Sequence, residues 1–140
     1  MRAVLDVNIL ISAVIVRNGN EARILKAAHN NDFKIVTSLE ILKEFREVIS
    51  RHKFGFSENQ IIRITLHIIE SAEIVQPNIK MGVIKEDPSD NKIIECAVSA
   101  NADCIVSGDR HLLGIGKIAG IPILRSSGFI DKLNKKSNRR

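Results

Sequence analysis

Arg2-Ala3-Val4-Leu5-Asp6-Val7-Asn8 sets a carboxylate and an amide inside an apolar run that continues to Val16. Ala3, Val4 and Leu5 are too apolar for a strand with one face in water, and read instead as a strand covered on both faces of a parallel sheet. An isolated ionised carboxylate is costly to bury. Asp6 is therefore at the carboxyl end of its strand, paired with a base, or bound to a cation. Open α/β sheets place their ligands outside the carboxyl ends of their strands, so the remaining chain can be searched for further oxygen ligands delivered to that edge.

A chain of 140 residues with 44% hydrophobic content suits one globular domain. The apolar run is too short to span a bilayer, and Asp6 and Asn8 interrupt what a signal peptide would need, which predicts a cytoplasmic protein. Cys96 and Cys104 lack CxxC spacing and read as reduced core residues. Most of the formal charge of +5 is local, since residues 131–140 hold five Lys or Arg against one Asp. That segment reads as a flexible basic tail following a domain over residues 1–130. Lys43, Arg46, Arg51, Lys53 and Arg63 form a second basic group around an interhelical turn. They suit either a solvated helix face or salt-sensitive contacts to a phosphate backbone.

Strands and helices alternate along the chain. Asn8 to Val16 predicts a short helix, and Asn18 with Glu21 a cap for the next, which ends at Asn30 and Asn31. Lys34-Ile35-Val36-Thr37 is a strand, with Thr37 and Glu40 at capping-box spacing for a helix over 39–51. On that helix Glu44 lies about 40° from Val48, nearer the apolar arc than Glu40 or Glu47. It is either an inward-reaching acid or a surface residue among basic neighbours. Ser57 and Gln60 open a strongly apolar helix, and Glu73-Ile74-Val75 is a third strand.

Asp87 and Pro88 mark a helix start. Asp90 lies three, four and seven residues before Ile93, Ile94 and Ala97, on the stripe facing the sheet. It reads equally as a first-turn acid favoured by the helix dipole and as a ligand. The strand over 102–107 ends in Gly108-Asp109, repeating the pattern of Asp6, although a turn aspartate capping a short helix fits as well. Ile121-Pro122-Ile123-Leu124 is a fifth strand, expected at an edge because of its proline, and Ser126 or Ser127 starts a last helix. The histidines show no zinc spacing along the sequence, and Gly114, Gly116 and Gly120 are too irregular for a phosphate-binding fingerprint. The predicted fold is α/β, a parallel sheet between helices with right-handed crossovers.

Asp6, Glu44, Asp90 and Asp109 each read as sitting at a strand end or a helix start, which in a parallel α/β fold is one edge of the molecule. Clustered carboxylates repel, by about 1 kcal/mol per pair even at 4 Å in water. A divalent cation removes that repulsion, and oxygen-only ligands suit Mg²⁺ or Mn²⁺.

These segments, Val4 through Ser12, Thr37 through Glu44, Asp90-Asn91-Lys92-Ile93 through Ala97, and Val106-Ser107-Gly108-Asp109, resemble the PIN domain in order and spacing over nearly the whole chain. The resemblance is strongest to the VapC-type ribonuclease toxins of bacterial and archaeal toxin-antitoxin pairs. It implies a three-layer sandwich with a five-stranded parallel sheet, and a metal-dependent endoribonuclease using Mg²⁺ or Mn²⁺. It also implies a homodimer with an antitoxin partner. Asp6, Glu44, Asp90 and Asp109 match the family's acidic positions, and Asn8, Ser38 and Ser107 its supporting polar positions, Ser107 standing where threonine is more usual. Two other readings share the acidic edge: an RNA-binding module of the same fold that does not cut, and a receiver-like signalling domain. The second fits poorly, since the third strand ends at Gln76-Pro77 rather than at an aspartate, and no lysine-proline turn follows Leu124.

Overall fold

Leu5 and its neighbours Ala3 and Val4 have no solvent-facing side because β1 (Arg2–Leu5) lies inside a sheet covered on both faces. The computed structural model describes residues 1–78 and 91–138. After β1 come α1 (Val7–Ile15), α2 (Asn20–His29), β2 (Lys34–Thr37), α3 (Leu39–Ile49), a short 3-10 turn (His52–Phe54), α4 (Glu58–Glu70) and β3 (Ala72–Ile74). The second half holds α5 (Asn91–Ala100), β4 (Cys104–Val106), α6 (Arg110–Ile115), β5 (Lys117–Ile118), β6 (Ile121–Leu124) and α7 (Ser126–Asn138).

The strand order is β3-β2-β1-β4-β6-β5, parallel throughout except for the β5–β6 pair. From β1 the chain steps outward through β2 to β3, then crosses back to β4 and continues away on the other side. Right-handed crossovers therefore put α5 on the face opposite the helices of the first two connections. The direction reverses between β1 and β4, and such a switch point opens a crevice at the carboxyl ends of the two strands.

Val4, Ile35, Val36, Ile94, Cys104, Ile105, Phe45 and Phe129 are among the side chains excluded from water at the centre. The ring of Phe33, just before β2, meets Phe129 of α7 edge-on at 4.9 Å and docks the last helix. At the same amino end of the sheet, Arg2 donates to Glu73 of β3 at 2.5 Å and to the Ala100 carbonyl at 2.7 Å, tying both ends of the sheet-crossing connection to the first strand.

Four expectations shift. The sheet has six strands rather than five, because Lys117–Ile118 folds back on Ile121–Leu124 through Ala119 and Gly120, both at positive φ, the geometry of a tight two-residue hairpin. β6 is consequently paired on both sides, and its Pro122 sits opposite Lys117 instead of at an open edge. The helix after β2 is capped by Ser38, which accepts from the Ile41 N–H at 3.2 Å, while Thr37 completes the strand. The cap of α2 is Gly19, without a side-chain bond, and not Asn18. The capping box of Ser57 and Gln60 forms as its spacing predicts. The basic segment from residue 131 continues as α7 up to Asn138, with Leu133 against the core. No helix among the described residues is long and apolar enough to cross a membrane.

Candidate metal centre at the sheet's switch point

Asp6 is the residue immediately after β1, and its carboxylate turns back to cap α1, Oδ1 accepting from the Ile9 N–H at 3.1 Å. Its backbone N–H still donates to Val106, so the residue is held in register with β4 as the strand ends. The Ser107 hydroxyl donates to Asp6 Oδ2 and accepts the Asp109 N–H at 2.9 Å. One serine thus joins two strand ends 101 residues apart in sequence. Asp109 in turn caps α6, its Oδ1 accepting from His111 at 2.8 Å and Leu112 at 3.2 Å. Among the described residues, its other carboxylate oxygen accepts no hydrogen bond.

The two acids differ in environment. Asp6 is 3% exposed, and burial lifts its carboxyl above the usual carboxylate range. The bonds from Ser107, Ile9 and Asn8 pull the other way, and the charge of Asp109 adds to the rise. Asp109 is half-buried and looks onto a cleft of about 630 Å³. Asn8, Ser107, Gly108 and Asp109 line it together with Glu21, Arg110, Arg125, Ser126 and Ser127. A carboxylate has room for about four acceptor contacts, so Asp6 keeps acceptor capacity beyond the bonds from Ser107, Ile9 and Asn8. The two linked aspartates present carboxylate oxygens, the donor type that hard divalent cations prefer. A cation there would offset the desolvation and mutual repulsion that raise Asp6.

The other candidates divide. Glu44 is half-buried on α3, but its carboxylate faces Lys92 of α5, Oε1 to Nζ 3.5 Å. Among the described residues, Asp6, Glu44 and Asp109 do not bring one carboxylate oxygen each to within 4.8 Å of one another. Asp90 lies outside the described residues; its neighbour Asn91 is buried. Ser38 is buried as the cap of α3, and next to it the Thr37 hydroxyl is buried with no hydrogen-bond partner among the described residues. Of the basic group, Lys43 and Arg46 line a separate groove with Leu39, Leu42 and Ile69. Arg51 and Lys53 are exposed at the 3-10 turn, where the Lys53 ammonium lies 5.0 Å from the centre of the Phe54 ring.

From the sequence Glu21 reads only as a cap partner and Ser126 or Ser127 only as a helix start, while Arg110 and Arg125 carry no site signal of their own. Position alone gave a signal for Arg125-Ser126-Ser127: the turn follows the carboxyl end of a parallel strand, as Asp6 and Asp109 do. Glu95, buried on α5, gave no such signal beyond being an acid in an apolar stripe.

Residues 2–111 match the PIN domain family. The uncharacterized protein MJ1680 of Methanocaldococcus jannaschii is 32% identical over 118 residues, covering 82% of this chain and 75% of that protein. Among solved structures, VapBC2 from Rickettsia felis, crystallised bound to a DNA fragment from its promoter, superposes with a TM-score of 0.64 at 17% identity, over 89% of this chain and 98% of that one. That similarity shows a shared fold. The sequence match and the relative together establish that the chain belongs to the PIN domain family.

Proposed function

We propose that this PIN domain is a metal-dependent endoribonuclease that hydrolyses RNA phosphodiester bonds, acting as the toxin of a toxin-antitoxin pair. The observation that carries the reading is the Asp6–Ser107–Asp109 connection, whose Ser107 and Asp109 line an open cleft at the carboxyl ends of β1 and β4. Mg²⁺ or Mn²⁺ would be held by Asp6 and Asp109, with Asp90 as a further ligand and Glu44 joining on release from Lys92. The chemistry supplied by such an ion is Lewis-acid activation of water and neutralisation of phosphate charge.

The protein's own part is positioning. Ser107 fixes the Asp6 carboxylate through its hydroxyl proton and the Asp109 backbone through its lone pair, so both acids stay aimed while the substrate changes. Arg110 and Arg125 stand on the cleft wall, where they can grip phosphates flanking the scissile bond. With five Phe and neither Trp nor Tyr, the chain offers few surfaces for base stacking. Phosphate contacts and RNA shape therefore dominate recognition.

An antitoxin or a second copy of the chain would cover apolar side chains that a monomer leaves in water, chiefly Leu39, which is 71% exposed, with Ile62, Leu66 and Ile74. The Rickettsia felis neighbour, a VapBC pair, supports a protein partner of this kind.

Incubation of the purified chain with a mixed RNA pool tests the reading. Fragments with Mn²⁺, none with a chelator, and a loss of roughly 10²–10³ in rate for Asp109→Asn are expected. RNA that is retained but never shortened would assign the fold to binding alone.

A further inference from the structure

We propose that His29, His67 and Glu70 form a second metal site, for a borderline divalent transition ion such as Zn²⁺, on the edge of the sheet opposite the acidic cleft. The topology makes the juxtaposition. α2 ends at His29 just before β2, and α4 ends at Glu70 just before β3. β2 and β3 are paired in register from Ile35 and Ala72 onward, so the two helix ends arrive side by side at the amino edge. Asp6 and Asp109 lie beyond the carboxyl ends of their strands. The two centres are therefore separated by the length of the sheet.

Donor type and spacing fit. One ligand atom from each of the three residues lies within 4.8 Å of the other two. The imidazole rings are in contact, with centroids 4.5 Å apart and planes inclined at 36°. Tetrahedral zinc with bonds of about 2.0–2.1 Å to nitrogen sets donors about 3.3 Å apart. The remaining closure is within reach of rotamer changes, because all three side chains are exposed. His67 and Glu70, three apart on α4, project from the same helix face. Among the described residues Glu70 has no ion pair and neither imidazole a hydrogen bond, so no internal partner must be displaced. Two imidazoles and a carboxylate leave a fourth position for water. Imidazole donors select Zn²⁺, Cu²⁺ or Ni²⁺ over Mg²⁺, which makes this centre chemically separable from an oxygen-only one.

A bound ion would clip the end of α4 to the end of α2 and so brace β3, a three-residue strand at the sheet margin. The stabilisation follows from linkage, because a ligand that binds only the folded state stabilises it by an amount that grows with the logarithm of its free concentration above Kd.

The test is calorimetric titration and thermal unfolding of the full chain with zinc chloride alone, with magnesium chloride as comparison. Saturable binding of one Zn²⁺ at this site and a Tm that climbs with the logarithm of free Zn²⁺ are expected. His29→Ala and His67→Ala should each weaken that binding by roughly tenfold or more, Glu70→Gln should weaken it less, and Asp109→Asn should leave it intact. Equal zinc binding by the histidine variants and the parent would overturn the proposal. So would zinc binding abolished by Asp109→Asn, which would place the ion in the acidic cleft, or the absence of both heat and Tm shift up to about 1 mM Zn²⁺.

Discussion

Burial gives the Asp6 carboxyl a cost in the folded state that the unfolded chain does not bear. Its pKa rises from 3.8 on folding, so the native state holds a proton more readily than the unfolded one. The stability associated with that proton is full below the unfolded pKa and is lost as pH rises through the folded value. Asp6→Asn keeps the shape and removes the charge. In the presence of EDTA the variant should exceed the parent in stability at pH 7, by a margin that shrinks toward pH 4, as read from urea midpoints. Equal midpoints at pH 7 would mean that Asp6 carries no desolvation cost. The thiols give a second expectation at this scale. Burial pushes Cys96 up to about 12 and Cys104 up to about 11. Thiolate is the reactive form, so Ellman's reagent should leave both unmodified in the native chain at pH 8 and react with both in guanidinium.

Helix starts and the one hairpin carry the local specification. The Ser57 and Gln60 box satisfies backbone donors at the head of α4 from both directions. Ser57→Ala should cost about 1 kcal/mol of stability, measurable by chemical denaturation. Ala119 holds φ at +49° between β5 and β6, where an L-residue is strained by roughly 1–2 kcal/mol. Glycine relieves that strain and adds unfolded-state entropy, leaving a net gain of about 0.5 kcal/mol for Ala119→Gly; a destabilised variant would contradict the turn assignment. The same elements show what could be read in advance. Apolar runs such as Ala3-Val4-Leu5 and Ile35-Val36 announce buried parallel strands because water-facing alternation is missing. β5 is two residues long, too short to carry any periodicity, so the sixth strand and the inner position of Pro122 were hidden. Thr37 and Ser38 are adjacent hydroxyl residues, and only the backbone path decides which one caps. Asp6 and Asp109 were legible because an apolar strand ends in an acid in both cases. Glu44 was read from helical angle alone, which reveals an inward tilt but not the Lys92 ammonium waiting there.

At the scale of the whole molecule, the change in the sense of winding between the parallel strands β1 and β4 is what brings two separate capping aspartates to one shared serine. The same topology leaves the helix ends before β2 and β3 at the far edge, with a softer donor set. A PIN domain with this arrangement should respond to hard and borderline ions at opposite ends of its sheet. A crystal of the chain soaked in Mn²⁺ and read for anomalous density tests the central claim most directly. Expected is a peak in coordination contact with the carboxylate oxygens of Asp6 and Asp109. Density confined to the histidine pair, or none beside the two aspartates at full soak, would contradict a metal-dependent nuclease centre at the switch point.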